Sequence, residues 1–435
     1  MKPCPFPFFC LLLVPALLPA APNLKDVLND DHARGVNHWI YNDFAEAKEA
    51  AARENKPIFV TFRCVPCKNC NGFDAEVTKG SEVIRDLAVS KFVPLRQVEM
   101  KGVDLSQFQF DYDLNWAAMF INADGTVYGR YGTQSADGPD AYNSIGSLEK
   151  AMQRVLQLHK GYPANKAYLK DKVGAPKPYK TALEMPGLSE KGKYAGATAR
   201  NNCIHCHNIH DAESEHLKAT GNFTNESLWR YPLPDNVGIQ IDPADGQLVK
   251  SIQPGSPADL AGLKANDRVV TVNGQAIISI ADIQWVFHNL PNDRVPIRFD
   301  VVRDGQMQSL TLSTALGWKK TDISWRGSIW HLSPRLQVWM PEAMEDENRR
   351  IGLPEGETAL KVKWINRGGP GGKSAFNAGL REGDYIIKLA GKPVPPDPRL
   401  FTVEVKLNYK PGDKMPVTLW RNGKTFDFDW PLVDE

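Results

Sequence analysis

A repeat in the second half of the chain constrains the fold more than any other feature. Its first copy runs from Gly238 to Gly274 and its second from Gly352 to Gly391. Both copies carry the pattern A-x-x-A-G-L, then an aspartate, two β-branched residues and a glycine turn. A repeated motif marks a repeated structural unit. The sequence therefore predicts two similar domains, at 233–316 and 351–435, joined by a connector at 317–350.

The size and charge of the chain restrict its class. With 435 residues, the chain has room for about three domains. Its 52 basic residues almost balance its 51 acidic residues, so the formal net charge is +1. Such a balance offers no field that would attract a polyanion. We expect no nucleic-acid partner.

The N-terminus has the pattern of an export signal. Lys2 supplies a positive charge, the apolar stretch Phe6–Leu18 follows, and small residues stand at Ala20 and Ala21. This order is typical of a cleaved signal peptide, whereas the apolar stretch is too short to span a bilayer. We predict a signal peptide at 1–21 and an exported, periplasmic or extracytoplasmic protein. We expect no transmembrane segment in the mature chain.

Residues 36–160 alternate between helical and strand-like patterns. Ala45–Glu54 is rich in Ala, Glu and Lys, which favours a helix, and Pro57–Phe62 is a short apolar run typical of a buried strand. Helices are further predicted at 73–87 and 147–159, strands at 92–98 and 118–122, and a hairpin turn at Asp124-Gly125. Alternation of this kind predicts an α/β domain with a central sheet. Residues 161–232 lack periodicity and are interpreted as a linker or small irregular module.

The first cysteine cluster comes directly after the predicted strand. Cys64, Cys67 and Cys70 form two overlapping C-x-x-C pairs. A thiol between a strand and a helix start has its pKa lowered by the helix dipole, and the thiolate is the nucleophile. A second thiol one helical turn away can resolve a mixed disulfide. A structural disulfide is the alternative.

This arrangement resembles the thioredoxin family, in which a strand ends in Phe, four residues follow, and C-x-x-C begins. Phe62 gives this spacing to Cys67 and Cys70. The resemblance implies that Cys67 is the nucleophile and Cys70 the resolver, with Cys64 as a relay. A rival register pairs Cys64 with Cys67. The chain departs from the family at Pro66, where thioredoxins carry Trp, and near Trp116, where they carry a cis-proline facing the disulfide.

The second cysteine cluster is Cys203-Ile204-His205-Cys206-His207. C-x-x-C-H is the attachment motif of c-type haem, in which two thiols form thioethers and the histidine binds the iron. We therefore expect haem c on Cys203 and Cys206 with His207 as its proximal ligand. His216 and Met185 are the candidates for the sixth ligand. A second disulfide, or zinc held by these cysteines and neighbouring histidines, is the alternative.

The repeat resembles bacterial PDZ domains of the high-temperature-requirement protease type. PDZ domains bind an extended peptide by strand addition and hold its terminal carboxylate on backbone N–H groups. The resemblance implies protein C-termini or extended peptides as partners. It places the carboxylate loops at Val237-Gly238-Ile239 and Ile351-Gly352-Leu353. No serine-protease elbow accompanies these domains in the sequence.

The whole arrangement resembles a family of exported bacterial thioredoxin-like/PDZ proteins, some of which carry selenocysteine in the redox motif. The fold class expected is multidomain: an α/β thioredoxin-like domain at 36–160, a haem-motif segment at 161–232 and two mainly-β PDZ-like domains. The function expected is that of a thiol-disulfide oxidoreductase or thiol peroxidase, with a redox partner protein. A non-enzymatic PDZ scaffold with structural cysteines and a haem electron-transfer protein are the alternatives.

Overall fold

The structure is a computed structural model that describes residues 38–63, 71–189, 191–196 and 202–433. The predicted signal peptide and the cluster of Cys64, Cys67 and Cys70 lie outside the described residues. The strands are β1 Ile40–Tyr41, β2 Ile58–Phe62, β3 Val93–Gln97, β4 Ala117–Ile121, β5 Val127–Tyr131, β6 Ile239–Ile241, β7 Val249–Ile252, β8 Arg268–Val272, β9 Gln275–Ala276, β10 Pro296–Arg303, β11 Gln306–Ser313, β12 Val338–Trp339, β13 Leu360–Lys361, β14 Trp364–Ile365, β15 Tyr385–Leu389, β16 Lys392–Pro393, β17 Lys414–Arg421 and β18 Lys424–Pro431.

The α-helices are α1 Phe44–Glu54, α2 Asn71–Ala75, α3 Glu82–Lys91, α4 Ile145–Lys160, α5 His207–Ala219, α6 Pro257–Leu260, α7 Ile280–His288, α8 Glu345–Arg350, α9 Pro370–Ala378 and α10 Pro398–Asn408. A π-helix spans Glu76–Gly80. Short 3₁₀ helices span Lys166–Tyr168, Lys170–Lys172, Ala182–Glu184, Lys191–Tyr194, Asn225–Leu228, Pro234–Val237 and Gly327–His331. Within the described residues, no helix combines the length and apolar character needed to cross a bilayer.

The first sheet has the strand order β1-β3-β2-β4-β5. Strands β1, β3 and β2 are parallel, whereas β4 and β5 run antiparallel to their neighbours. Both faces are covered, because α1 packs on the core that contains Val60 and Phe62 while α3 and α4 pack on the core that contains Phe59. Successive residues of β2 thus point into opposite cores, as the alternation of strand side chains requires.

The helix predicted at 73–87 is divided into three pieces. α2 passes into the π-helix, and α3 begins afresh after Ser81. Ser81 has extended backbone angles, and its side chain accepts a hydrogen bond from the Ile84 N–H. A serine that caps a new helix in this way ends the preceding one. The two turns nearest the thiol segment are therefore separate from α3.

Residues 161–232 pack more regularly than the irregular linker predicted. They contain the thirteen-residue helix α5, and Ile204, Ile209 and Ala212 are buried in the same core as α1. The preceding chain crosses α5 closely, because a Cβ at Gly187 would lie 2.1 Å from the Ala212 carbonyl oxygen. This segment is therefore part of the first domain's core.

The two repeat units share one topology. The first orders its strands β11-β10-β8-β9 and the second β18-β17-β15-β13, with β16 also paired to β15. Asp267 pairs with Arg303 at 2.7 Å, and Asp384 pairs with Arg421 at 2.5 Å. In each unit the arginine also donates to a carbonyl in the glycine turn. The aspartate of the repeat is thus explained by an ion pair between its buried carboxylate and a partly exposed arginine on a neighbouring strand.

The second repeat unit begins before residue 351. Its strand β12 pairs antiparallel with β14, as β6 pairs with β7 in the first unit. Gln337 precedes β12 with a φ of 53°, and Gly238 precedes β6 with a φ of 86°. The loop equivalent to Val237-Gly238-Ile239 is therefore centred on Gln337. The predicted loop Ile351-Gly352-Leu353 instead follows α8, and its role as a carboxylate loop stays a prediction.

The first repeat unit packs directly on the first domain. Helix α7 lies against β5, where a Cβ at Gly129 would be 2.5 Å from Ile278 Cγ1. Asp282 on α7 pairs with the buried Lys172 at 2.9 Å and accepts from the Arg130 N–H at 3.1 Å. These buried charges join the domains in a fixed arrangement.

Candidate functional site

The first thiol cluster is bracketed by well-packed residues. Phe62, at the end of β2, pairs with Ala117 at the start of β4, and α2 begins at Asn71. The segment that holds Cys64, Cys67 and Cys70 therefore connects a central strand to a helix. The three thiols themselves lie outside the described residues, so their catalytic roles stay predictions.

A buried carboxylate anchors both ends of this segment. Asp74 accepts hydrogen bonds from Arg63 at 2.7 Å and from Arg96 at 2.7 Å. The Trp116 indole N–H also donates to Asp74 at 3.0 Å. Burial alone would raise the pKa of Asp74, but the Arg96 and Arg63 guanidiniums hold that pKa below its usual range. Asp74 thus stays ionised and ties α2 to the ends of β2 and β3.

Trp116 lies at or near the place where the resemblance to thioredoxins predicts a cis-proline. It immediately precedes β4, and its buried ring meets Phe73 edge-on at 4.9 Å. Its indole N–H donates to the Asp74 carboxylate, so Trp116 has a structural role at this place. Trp116 and Arg96 were not identified from the sequence as site residues, because pairing between distant segments leaves no spacing signal.

The C-x-x-C-H segment leads into α5. Cys203 and Cys206 are 6% and 8% exposed, and His207 is the first residue of the helix. His207 Nδ1 lies 3.3 Å from Asp211 Oδ2. The His331 ring is nearly parallel to the His207 ring, at a centroid distance of 5.7 Å and an angle of 11°.

Two clefts meet at this segment. One, of about 610 Å³, is lined by Cys206, His207 and the residues that precede β4. The other, of about 680 Å³, is lined by Cys203, His207 and His331. Both volumes fall in the range of small-ligand sites. The first cleft is lined by residues just before β4, whose first residue, Ala117, pairs with Phe62 at the end of β2, so Cys206 lies toward the same end of the sheet.

The candidates for the sixth haem ligand lie elsewhere. Met185 and His216 line a third cleft, of about 510 Å³. His216 follows His207 by nine residues on α5, and nine residues at 3.6 per turn make two and a half turns. The structure therefore brings Met185 and His216 together, but on the face of α5 opposite His207.

Haem c on Cys203 and Cys206, with His207 as its proximal ligand, stays a prediction. Cys206 lines the first cleft, Cys203 lines the second, and His207 lines both. The cleft with Cys203 is also lined by Lys193, Asp211 and Arg335.

A second network, made of hydrogen bonds and ion pairs around His210 and Arg326, was not predicted from the sequence. The buried His210 lies 3.4 Å from Asp111 and 3.0 Å from Glu213. Arg326 donates to Asp111 at 2.8 Å and reaches Asp113 at 3.1 Å. Burial and Arg230 lower the pKa of His210, but its hydrogen bonds to the two carboxylates raise it overall. This network fixes the connector against the first domain.

The first predicted carboxylate loop is tightly held. Val237 and Ile239 are fully buried, and the Gly238 N–H donates to the Asp235 carbonyl at 2.9 Å. Gly238 has a φ of 86°, and a Cβ there would lie 2.2 Å from the Ser256 side chain. Glycine is therefore required at this turn.

Family models agree with this architecture. Residues 39–123 match a model described as thioredoxin-like, and residues 248–300 match a model described as a PDZ domain. The chain contains a thioredoxin-like domain and a PDZ domain. The PDZ match covers the first of the two repeat units.

Curated relatives match part of the chain. A "Probable periplasmic serine endoprotease DegP-like" from Marinomonas sp. (strain MWYL1) is 26% identical over 198 residues, which are 45% of this chain and 39% of the relative. A protein of the same description from Pseudomonas savastanoi pv. phaseolicola (strain 1448A / Race 6) is 31% identical over 153 residues, 34% of this chain and 30% of the relative. The chain thus spans 39% or less of the length of these two relatives.

A solved structure titled "DsbH Oxidoreductase" is 18% identical and covers 28% of this chain and 88% of its own. Its TM-score of 0.20 is too low to identify a shared overall structure.

Proposed function

We propose that this chain is an extracytoplasmic thiol-disulfide redox protein, an oxidoreductase or thiol peroxidase whose PDZ domains hold a protein partner. The observation that carries the proposal is the position of the Cys64–Cys70 segment, between the central strand β2 and helix α2 of a thioredoxin-like domain. Lys68 and the helical turns that follow provide positive potential, which lowers the pKa of a nearby thiol.

The reaction proposed is disulfide exchange. The Cys67 thiolate attacks a substrate disulfide, forms a mixed disulfide and displaces one substrate thiolate. Cys70 then attacks the Cys67 sulfur, releases the second substrate thiolate and leaves a Cys67–Cys70 disulfide. With a peroxide, the Cys67 thiolate attacks one peroxide oxygen, breaks the O–O bond and releases water or an alcohol, which leaves a sulfenic acid on Cys67. Cys70 then attacks the sulfenic sulfur, forms the Cys67–Cys70 disulfide and releases water. Asp74 and its arginines hold the segment's flanks.

The second part of the proposal concerns location and partner. A predicted signal peptide and relatives described as periplasmic support an extracytoplasmic place. The PDZ domain at 248–300 supports binding of C-termini or extended peptides. The shared topology of the second repeat unit supports its assignment as a second PDZ-like domain. Haem c on Cys203, Cys206 and His207 stays a prediction from the C-x-x-C-H motif, and no step of the proposed reaction passes through it.

Insulin reduction and peroxide consumption by the mature chain test the proposal. We expect turnover above background, its loss in Cys67→Ser, and a trapped mixed disulfide with substrate in Cys70→Ser. Cys206→Ser is the matched control and should keep the activity. Rates at background for the mature chain in both assays would instead support a non-enzymatic PDZ scaffold, which Trp116 in place of the cis-proline favours.

A further inference from the structure

We propose that His207, Asp211 and His331 bind a divalent transition-metal cation of the zinc class. Each residue offers one donor atom, and these atoms lie within 4.8 Å of one another. Two imidazoles and a carboxylate are ligands that zinc and its first-row neighbours accept. The inference does not depend on the thiol chemistry proposed for Cys67 and Cys70.

The Asp211 carboxylate has an oxygen that the described residues leave unsatisfied. Oδ2 accepts from the Asn208 amide at 3.0 Å and faces His207 Nδ1 at 3.3 Å. Oδ1 is buried and has no hydrogen-bond partner among the described residues. A buried acceptor without a partner is costly, and an absent ion is one physical explanation for it. A cation held between Asp211, His207 and His331 would satisfy this oxygen.

The third ligand is held rigidly against α5. His331 ends the 3₁₀ helix Gly327–His331, whose Ser328 N–H and hydroxyl both donate to Asp113 at 2.8 Å. A Cβ at Gly327 would lie 3.1 Å from His207 Cγ, so the glycine lets the 3₁₀ helix pack closely against the His207 side chain. Ligands fixed by such contacts are prepared for a metal before it binds.

The site is accessible to an ion. His331 is exposed, the His207 side chain is 30% exposed, and both line the cleft of about 680 Å³. Three protein ligands leave a coordination position open toward this cleft, which water can occupy. Cys203 lines the same cleft, so the experiment must separate a thiol ligand from the three proposed.

Zinc titration of the mature, chelator-treated chain by calorimetry, with metal content measured by mass spectrometry, tests the proposal. We expect one equivalent of Zn²⁺ to bind and His331→Ala to weaken that binding by more than about tenfold. Co²⁺ should give visible d–d absorption that His331→Ala removes. Since His331 is exposed, this substitution should leave the fold intact, which circular dichroism can verify. His216→Ala, on the opposite face of α5, is the matched control and should bind normally.

Three results would overturn the proposal. One is no Zn²⁺ bound by the wild-type chain. Another is binding that survives His331→Ala but is lost in Cys203→Ser with Cys206→Ser, which would assign the metal to the thiols. The third is a pyridine haemochrome spectrum from chain produced with a cytochrome c maturation system, which would assign His207 to haem.

Discussion

Asp74 shows how one buried residue can organise the surroundings of a reactive segment. It is 1% exposed and bonds Arg63, Arg96 and Trp116, which come from three separate parts of the chain. The two buried guanidiniums share the Asp74 carboxylate, so the negative charge of Asp74 compensates both positive charges. Removing one member of such a group leaves uncompensated charge in a low-dielectric interior.

We therefore expect Asp74→Asn to lower the free energy of unfolding by about 3–5 kcal/mol, as loss of one partner from a buried ion pair does. Urea titration of the mature chain measures this change. Asp86→Asn, at the exposed pair with Arg85, is the control and should change stability by less than about 0.5 kcal/mol. Equal effects of the two substitutions would contradict the structural role given to Asp74.

At the scale of an element, the position of helix α5 depends on close packing against neighbouring segments. Its buried face joins the core of the thioredoxin-like domain, and the chain at Gly187 crosses it at backbone distance. A side chain at Gly187 would therefore have to displace either α5 or the segment that crosses it. Overpacking of this kind in a filled core destabilises a protein by roughly 1–3 kcal/mol.

Gly187→Ala should accordingly lower the melting temperature, with a loss of about 1–3 kcal/mol. Gly192→Ala is the matched control, since a Cβ there meets nothing within 4 Å. Differential scanning calorimetry compares the two variants. If Gly187→Ala melted like the control, α5 would not be packed against that crossing.

The sequence predicted the elements whose patterns are local. Strand β2 and helix α4 were predicted because a short apolar run and a helical periodicity are both patterns over a few residues. Helix α5 was missed because its buried face carries the polar His210 and Ser214 beside Ile209 and Ala212. The turn before β12 was missed because Gln337 stands where the first unit has Gly238. The networks of Asp74 and Arg326 depend on tertiary contacts that spacing does not encode.

At the scale of the whole molecule, the thioredoxin-like domain and the first PDZ unit share buried charges. Asp282 pairs with Lys172, and the Trp285 ring lies 3.7 Å from the Arg130 guanidinium. Burial lowers the pKa of Lys172, and Asp282 opposes that shift. The two domains should therefore unfold together.

Asp282→Ala removes the carboxylate that pairs with Lys172, so we expect the two domains to unfold less cooperatively. Calorimetry should show a lower melting temperature and a broader or divided transition, with a loss of about 3–5 kcal/mol. Glu345→Gln, on the exposed part of α8, is the control and should keep one transition. A single unshifted transition in Asp282→Ala would show that the interface does not couple the domains.

Acid should loosen the same interface through Asp245. Burial raises the pKa of Asp245, but Arg154 and Arg268 bring it down to about 2. Its unfolded pKa is about 3.9, so the folded state is stabilised above that pH. That stability is lost as the pH falls from about 4 to about 2. Between pH 4 and pH 2, the free energy of unfolding should change less steeply with pH in Asp245→Asn than in the wild-type chain. Identical slopes of this free energy against pH would exclude Asp245 as a contributor.

The rate at which Cys67 reacts with iodoacetamide, followed by mass spectrometry against pH, tests the redox account most directly. The account predicts that the Cys67 reaction reaches half its maximal rate well below the free-thiol pKa of about 8.5, and that Asp74→Asn moves this midpoint. A midpoint at the free-thiol value, with a rate no faster than free cysteine at neutral pH, would contradict a catalytic thiolate at Cys67.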